Sequence, residues 1–447
     1  MRVVIAPDSF KGSLPAAAVC AAIEKGVRRA RPDADVVRVP MADGGEGTLD
    51  CVLDATGGQE VSLEVTGPLR RTLPARYVRS PDGRSAVVEL AAASGLPLVE
   101  PEALDPLRAH THGTGELIAD AIRRGARDVL VCVGGSASTD GGAGLLRALG
   151  FRFLADGGSE LAEGGGALAR IARIDTGHVP AAVLQTRFKI ACDVTNPMIG
   201  PDGAAEVFGP QKGASPAQVR QLDSALSRYA DVLADRFGVR VHDLPGAGAA
   251  GGTCGGMVAA LGAEPVPGCD LVAETVGLAE ALAGADLVIT GEGRLDLQSA
   301  SGKVVSAVAR LARREGAPAV ALAGQVVLPA EELHRAGLTA AFSIADGPRT
   351  LTAMTWAAEP LLSDAAEQAA PGTGPSTSST RTCARHTGST HLTPQGRPPG
   401  DDSSLTTGPR AKPSPRGARA TVRTPMFSSG RRPLRPAGVS CRVCRRR

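Results

Sequence analysis

The first 39 residues contain the pattern that decides the fold. Arg2-Val3-Val4-Ile5-Ala6 is a short β-branched run, a helical pattern follows over about 15–30, and a second apolar run occupies 35–39. Ser13 is suited to cap the helix, and Pro15 fits its first turn. A strand, a helix and a strand in this order predict two parallel strands joined by a crossover helix.

Strand-like and helix-like runs continue to alternate along the chain. Further buried strands are predicted at 129–133, 187–192, 285–290 and 317–323, and amphipathic helices at 216–237 and 302–314. The stretch 61–90 differs, because its three apolar runs are separated by short turn sequences that are typical of an antiparallel meander.

We therefore predict an α/β fold with two α/β domains. The first is a Rossmann- or flavodoxin-like parallel sheet built from both ends of the body, 1–60 and 270–370. The second is an inserted mixed α/β domain at 61–269. A disordered tail is predicted at 371–447.

Charge also divides the chain at about residue 370. The tail carries 15 Lys and Arg and 2 Asp and Glu, which leaves 34 of the 49 basic and 44 of the 46 acidic residues in the body. The tail is rich in Pro, Ser, Thr, Arg and Gly and has no apolar periodicity, so it cannot form a core. It is either a basic interaction arm or the product of an altered reading frame, and its abrupt start favours the second.

Composition narrows the classes of function. Aromatic residues make up 2% of the chain, which argues against a protein that stacks nucleic-acid bases on aromatic side chains. For the mildly acidic body no nucleic-acid partner is expected. No apolar run approaches the roughly 18 to 20 residues that span a bilayer, so no membrane association is expected. The six cysteines of the body are scattered, which is typical of a reduced, cytoplasmic protein. The oligomeric state is left open.

Glycine, hydroxyl and carboxylate residues follow five of the predicted strands. In open α/β sheets, ligands bind outside the carboxyl ends of the strands. Five such loops in one chain predict a site for a polyanion that also needs a cation or a base. The loops span 7–13, 43–48, 134–142, 193–197 and 290–296.

The loop at 134–142 is the best candidate for a phosphate cradle. Its glycines let backbone N–H groups approach phosphate oxygens, and its serines can donate hydrogen bonds. Its aspartate is suited either to a metal ion or to capping the next helix. The candidate nucleotide contacts are Gly134, Gly135, Ser136, Ser138 and Asp140.

Asp8, Ser9 and Lys11 place an acid, a hydroxyl and an ammonium within four residues. Phosphoryl transfer needs such a set, because a cation clamps the phosphate and a carboxylate orients the nucleophile. The alternative is a helix cap beside a solvated lysine. Asp43 and Glu46 are suited to Mg²⁺, which prefers oxygen ligands, but their spacing also resembles a capping box.

Glu292, Arg294 and Asp296 can combine metal binding with capture of a substrate carboxylate, for which arginine has the matching fork geometry. Lys212 and Lys303 are possible phosphate contacts. For any single lysine, a solvated surface charge is the commoner interpretation.

One pattern, 246–251, matches the glycine spacing of dinucleotide-binding loops. No clear strand leads into it, and a proline precedes it. We therefore interpret it as a mobile or close-packed loop.

Nine stretches, in order and across nearly all of 1–370, resemble the bacterial glycerate kinases of type I, the glycerate 2-kinase family. Departures from the usual family sequence are small, and the clearest are Ser138 and Thr139, where the family usually has Thr and Asn. The tail has no counterpart in the family. The nine stretches are 5–13, 42–48, 113–118, 134–144, 191–197, 207–214, 245–252, 290–296 and 342–348.

The resemblance implies a kinase that uses ATP and Mg²⁺ to phosphorylate D-glycerate to 2-phosphoglycerate, with 3-phosphoglycerate not excluded. It also implies two α/β domains with a cleft between them. Two alternatives remain: a kinase of another small hydroxy acid, and a non-catalytic ligand-binding regulator.

Roles within such a site follow from phosphoryl-transfer chemistry, in which positioning and charge neutralisation dominate. The ATP phosphates are expected on 134–140 and Lys303, and Mg²⁺ on Asp43, Asp193 or Asp296. Asp8 is expected to orient the glycerate hydroxyl. The remaining assignments are Lys11 and Asp193 as further catalytic groups, and Arg294, Ser9 and Glu292 as substrate contacts.

Overall fold

The computed structural model describes residues 1–297, 299 and 303–370. The strands are β1 (Arg2–Ile5), β2 (Asp35–Arg38), β3 (Gln59–Thr66), β4 (Thr72–Arg79), β5 (Ser85–Glu89), β6 (Asp128–Cys132), β7 (Arg152–Leu154), β8 (Arg173–Asp175), β9 (Arg187–Ala191), β10 (Glu264–Val266), β11 (Leu287–Leu295), β12 (Ala319–Val326) and β13 (Ala340–Ser343). The predicted tail, 371–447, and the glycine before Lys303 lie outside the described residues.

The α-helices are α1 (Ala16–Ala30), α2 (Thr48–Thr56), α3 (Ala91–Ser94), α4 (His112–Arg123), α5 (Ala143–Ala148), α6 (Ala181–Leu184), α7 (Ala204–Phe208), α8 (Pro216–Phe237), α9 (Ala249–Leu261), α10 (Gly268–Thr275), α11 (Leu278–Leu282), α12 (Val304–Arg314), α13 (Ala330–Arg335), α14 (Leu351–Trp356) and α15 (Ala358–Ala369). Short 3₁₀ helices occupy Leu96–Leu98, Pro101–Ala103, Gly165–Arg170 and Pro210–Lys212. No helix of the described ranges is long and apolar enough to cross a membrane.

A five-stranded parallel sheet joins the two ends of the body. Its strand order is β13-β12-β11-β1-β2, and β1 pairs with β11 in a register that places Ile5 opposite Ile289. Helices α1 and α15 cover one face through Ile23 and Leu362, while α10 and α12 cover the other through Val272 and Val308. This doubly covered parallel sheet confirms the fold class predicted from the β1–α1–β2 pattern.

A second, six-stranded sheet is mixed, with the order β10-β9-β6-β5-β4-β3. Strands β3, β4 and β5 pair antiparallel, which confirms the meander predicted at 61–90, and the other pairings are parallel. The largest apolar core lies on one face of this sheet, where Tyr77 and Val131 pack with residues of α4, α8 and α9.

Helices α2 and α10 lie on the opposite face of the mixed sheet. Leu49 and Val52 of α2 and Leu271 of α10 pack there with Val87 and Leu130. The next residue of α10, Val272, belongs instead to the core of the parallel sheet. Helix α10 therefore contacts both sheets and brings their strand ends close together. The domain boundaries at 60/61 and 269/270 remain predictions.

Candidate functional site

Asp8 and Glu292 lie close together because Asp8 follows β1, which pairs in parallel with β11, the strand that contains Glu292. Asp8 follows β1, and its backbone N–H donates to the carbonyl of Gly291 in β11 over 2.8 Å. The Asp8 side chain is 6% exposed, and its Oδ1 accepts hydrogen bonds from the backbone N–H and the hydroxyl of Ser9, at 2.6 and 3.3 Å. The structure thus brings together the acid, the hydroxyl and Glu292 predicted from sequence.

Burial raises the pKa of both carboxyl groups. The pKa of Asp8 rises to about 6, mainly through burial and then through the nearby charge of Asp43, while Lys11 opposes the rise. Burial raises the pKa of Glu292 to about 7, while the nearby hydroxyl of Ser299 and the charge of Lys303 oppose that rise. Among the described residues, Oε1 of Glu292 is buried and has no hydrogen-bond donor. These two carboxylates therefore carry incompletely compensated charge close to neutral pH.

Asp43 and Asp193 approach the same point from two loops. The ammonium of Lys11 lies 3.3 Å from Oδ2 of Asp43. Oδ1 of Asp193 accepts a 2.7 Å hydrogen bond from the backbone N–H of Gly268, the first residue of α10. Burial raises the pKa of Asp193 to about 6, and the charge of Asp43 raises it further. The predicted metal ligands Asp43 and Asp193 are thus neighbours, with Lys11 as the adjacent cation.

Gly268 allows this close approach, because any larger side chain would strike both loops. A Cβ on Gly268 would lie 2.3 Å from the carbonyl oxygen of Asp43 and 3.0 Å from Oδ2 of Asp193. Nothing in the sequence analysis singled out this residue. Its only sequence signal is that it comes two residues after a short β-strand, β10, and that signal becomes informative only once the strand is known to end at the site.

The glycine loop that follows β6 borders a cavity of about 430 Å³. Its hydroxyls bond to each other, with Ser136 Oγ 3.0 Å from Ser138 Oγ. The loop is anchored from outside, because the Leu96 N–H donates to the Gly135 carbonyl over 2.7 Å. The polar and glycine residues that line the cavity are Asp43, Gly44, Gly45, Gly134, Gly135, Ser136, Asp193, Gln211 and Lys212.

Asp140 lies apart from this cavity. Its carboxylate is fully buried and accepts hydrogen bonds from the backbone N–H and hydroxyl of Thr111, both at 2.9 Å, and from the N–H groups of Gly142 and Gly144. Asp140 therefore fastens the end of the glycine loop to the start of α4. This is the capping role that the sequence left open beside metal or nucleotide binding.

Arg294, Asp296 and Lys303 lie beyond the carboxylates, towards the end of β11. Arg294 is well exposed, and its Nε lies 3.5 Å from Oδ2 of Asp296. Oδ1 of Asp296 accepts from the N–H of Ser299. Lys303 precedes α12, and its charge opposes the raised pKa values of both Asp193 and Glu292. Lys303 is therefore, with Lys11, one of the cations whose charge acts on these carboxylates, while the Arg294 side chain is largely exposed.

The loop at 246–251 packs directly against the glycine loop. The carbonyl of Gly251 accepts a 2.9 Å hydrogen bond from the N–H of Gly141, and three consecutive residues, 250–252, have positive φ. This confirms the close-packed interpretation of the dinucleotide-like pattern. Ala249 and Ala250 contribute to the wall of the cavity.

The carboxylates suit a divalent cation that is shared with a substrate. No three His, Cys, Asp or Glu side chains in the described part of the chain form a ready-made metal centre. Mg²⁺ is usually bound by one or two carboxylates together with substrate phosphates, so it does not need one. Asp43 and Asp193, which lie close enough for the charge of one to raise the pKa of the other, are oxygen donors of the required type. The residues present therefore fit Mg²⁺.

Replacing Glu292 with glutamine should stabilise the ligand-free protein at pH 8 and have little effect at pH 4.5. The folded pKa of about 7 lies above the ordinary value of 4.5, so folding gains stability as pH falls through this interval. The glutamine removes a charge that opposes folding at pH 8, by roughly 1 kcal/mol or more. Urea denaturation at both pH values measures the difference. The exposed Glu280→Gln variant is the control, and an equal change at both pH values would contradict the prediction.

Comparison with known proteins agrees with this arrangement. The model of the glycerate kinase family matches residues 3–372. Glycerate 2-kinase of Escherichia coli (strain K12) is 46% identical over 78% of this chain and 92% of its own length. Glycerate kinase of Halalkalibacterium halodurans is 44% identical over 82% and 97%. A crystal structure of a candidate glycerate kinase 2 from Salmonella typhimurium LT2 has a TM-score of 0.75 and 44% identity, covering 83% of this chain and 97% of that one. This chain therefore belongs to the glycerate kinase family and is a kinase.

Proposed function

We propose that this protein transfers the γ-phosphoryl group of ATP to D-glycerate and forms 2-phosphoglycerate, with 3-phosphoglycerate as the other possible product. One observation carries the proposal. Asp43 and Asp193 line the cavity beside the glycine loop. The charges of Asp8, Lys11 and Lys303 lie close enough to act on these two carboxylates. The family and the name of the E. coli relative, glycerate 2-kinase, support the substrate and the product.

Asp8 is the proposed group that orients the glycerate hydroxyl and accepts its proton. A carboxylate with a pKa of about 6 is ionised at neutral pH and is a stronger base than an ordinary aspartate. Ser9 and Glu292 are proposed to hold the hydroxyls of glycerate, and Arg294 to pair with its carboxylate. The Arg294 side chain is 63% exposed and so accessible to a substrate, and only its Nε lies near Asp296.

Lys11 and Lys303 are proposed to neutralise the transferring phosphoryl group and the ATP phosphates. The backbone N–H groups of Gly134, Gly135 and Ser136 are proposed to bind the phosphates, because these residues border the cavity. Ser138 and Asp140 are buried, so their proposed contribution is to hold the loop in shape.

Asp43 and Asp193 are the proposed holders of Mg²⁺, with Asp296 as the third candidate. Such an ion would supply positive charge that offsets the negative charge developing on the transferring phosphoryl group. Asp193 is kept in position by the N–H of Gly268, and Asp43 by its pair with Lys11. We also propose a cytoplasmic location, since the six cysteines of the described residues are free.

Release of ADP from ATP and Mg²⁺ on the full chain tests the proposal. D-glycerate should stimulate release at least tenfold, and tartronate or glycolate should do so less. Separation of the two phosphoglycerates identifies the hydroxyl that is phosphorylated. Folded protein that releases no ADP with D-glycerate would refute the proposed substrate, and stronger stimulation by tartronate or glycolate would assign another hydroxy acid.

A further inference from the structure

Lys212 is a buried lysine at the wall of the cavity. It ends the 3₁₀ turn Pro210–Lys212, its side chain is 2% exposed, and the next residue, Gly213, has a φ of +88° that turns the chain away. Its ammonium donates a hydrogen bond to the carbonyl of Ser138. The sequence favoured a solvated surface charge for any single lysine, and for Lys212 that interpretation is wrong.

The charge of Lys212 has no carboxylate partner of its own. No Asp or Glu oxygen of the described residues lies within 4.0 Å of its ammonium. Asp140 is near enough to act on it, but its oxygens already accept four hydrogen bonds from Thr111, Gly142 and Gly144. A buried ammonium costs several kcal/mol unless a counter-charge offsets it, and a neutral carbonyl offsets only part.

The surroundings of Lys212 indicate which anion supplies that counter-charge. Lys212 lines the same cavity as Gly134, Gly135 and Ser136. Glycines allow backbone N–H groups to approach phosphate oxygens closely, so Gly134 and Gly135 suit a phosphate in this cavity. A compact ammonium that faces glycine amides across a cavity is a recurring way of binding a nucleotide phosphate.

We propose that Lys212 is a nucleotide-binding residue whose ammonium pairs with a phosphate of the ATP held on Gly134–Ser136. The proposal rests on the proposed function for the identity of the nucleotide. Because Lys212 also holds the Ser138 carbonyl, phosphate binding and the shape of the glycine loop are coupled. In the ligand-free protein the same ammonium is a net cost to stability.

The test compares the full-length wild type with Lys212→Met, which keeps the length of the side chain and removes its charge. Binding of Mg-ADP and of adenosine is measured by calorimetry, and melting is measured without ligand. The variant should bind Mg-ADP at least tenfold more weakly, bind adenosine within twofold of the wild type, and melt at the same or a higher temperature. Lys189→Met, at an exposed lysine of β9, is the control and should match the wild type.

A purely structural lysine gives a different result. If Lys212 only supports the loop, Lys212→Met melts lower and loses affinity for ADP and adenosine equally, which overturns the proposal. If Lys212→Met does not fold, the same ADP-to-adenosine ratio is measured with Lys212→Gln, which keeps a donor for the Ser138 carbonyl. Selective loss of ADP affinity supports the proposal even if the wild type fails to phosphorylate glycerate, so the two proposals fail independently.

Discussion

Replacing Asp8 with asparagine should lower kcat about 1,000-fold and leave the protein folded. Asparagine has the same shape, and its carbonyl can accept the hydrogen bonds from Ser9, but it cannot take the proton of the glycerate hydroxyl. Since burial raises the pKa of Asp8 to about 6, removing its charge should not lower the melting temperature at pH 8. Steady-state kinetics at saturating ATP and D-glycerate measure the loss.

Asp35→Asn is the matched control for this variant. Asp35 is an exposed carboxylate at the other end of the same sheet, where β2 begins, and its replacement should leave kcat within twofold. The wild type should also lose activity as pH falls through about 6, because protonated Asp8 cannot act as a base. Near-normal kcat in Asp8→Asn would remove Asp8 from the mechanism. The loss of activity at low pH would then have to come from protonation of Asp193 or Glu292.

Apolar periodicity predicts the fold well because apolar residues recur at the positions that are buried in the folded chain. The run at 2–6 and the later run at 285–290 became adjacent strands β1 and β11, although more than 280 residues separate them. Their pairing brings Asp8 and Glu292 together, and the rule that ligands bind at the carboxyl ends of parallel strands predicts a site there. The positions of these residues therefore follow from chain topology alone.

The direction in which a loop side chain points cannot be predicted from its neighbours in the sequence. Asp140 ends a loop rich in glycine, serine and threonine, yet its carboxylate turns inward to the N–H groups of Gly142 and Gly144 at the start of α5. Lys212 lies in a sequence typical of a surface turn, yet its ammonium donates to the Ser138 carbonyl and the residue lines the cavity. Both outcomes depend on segments that are distant in sequence, such as Thr111 for Asp140 and Ser138 for Lys212.

Replacing Gly251 with alanine should lower the free energy of unfolding by about 3 kcal/mol or more. Its φ of +68° costs an alanine about 1 kcal/mol, and a Cβ there would lie 2.1 Å from the carbonyl oxygen of Ser138. Relief of that overlap requires the backbone of one loop to move, which adds roughly 1–3 kcal/mol. The displaced Ser138 carbonyl is the one that Lys212 holds, so the KM for ATP should also rise.

Gly262→Ala separates the cost of the positive φ from the cost of the Cβ overlap. Gly262 ends the same helix with a φ of +63° and has nothing within 4 Å of its Cβ position. This control should lose only about 1 kcal/mol and keep the wild-type KM for ATP. Urea denaturation and steady-state kinetics of both variants provide the comparison. If the two substitutions destabilise the protein equally, the backbone of 250–252 can move to accommodate the new Cβ without displacing Ser138. The glycine loop would then be held by its bonds to Leu96 and Thr111, and the turn would be only a wall of the cavity.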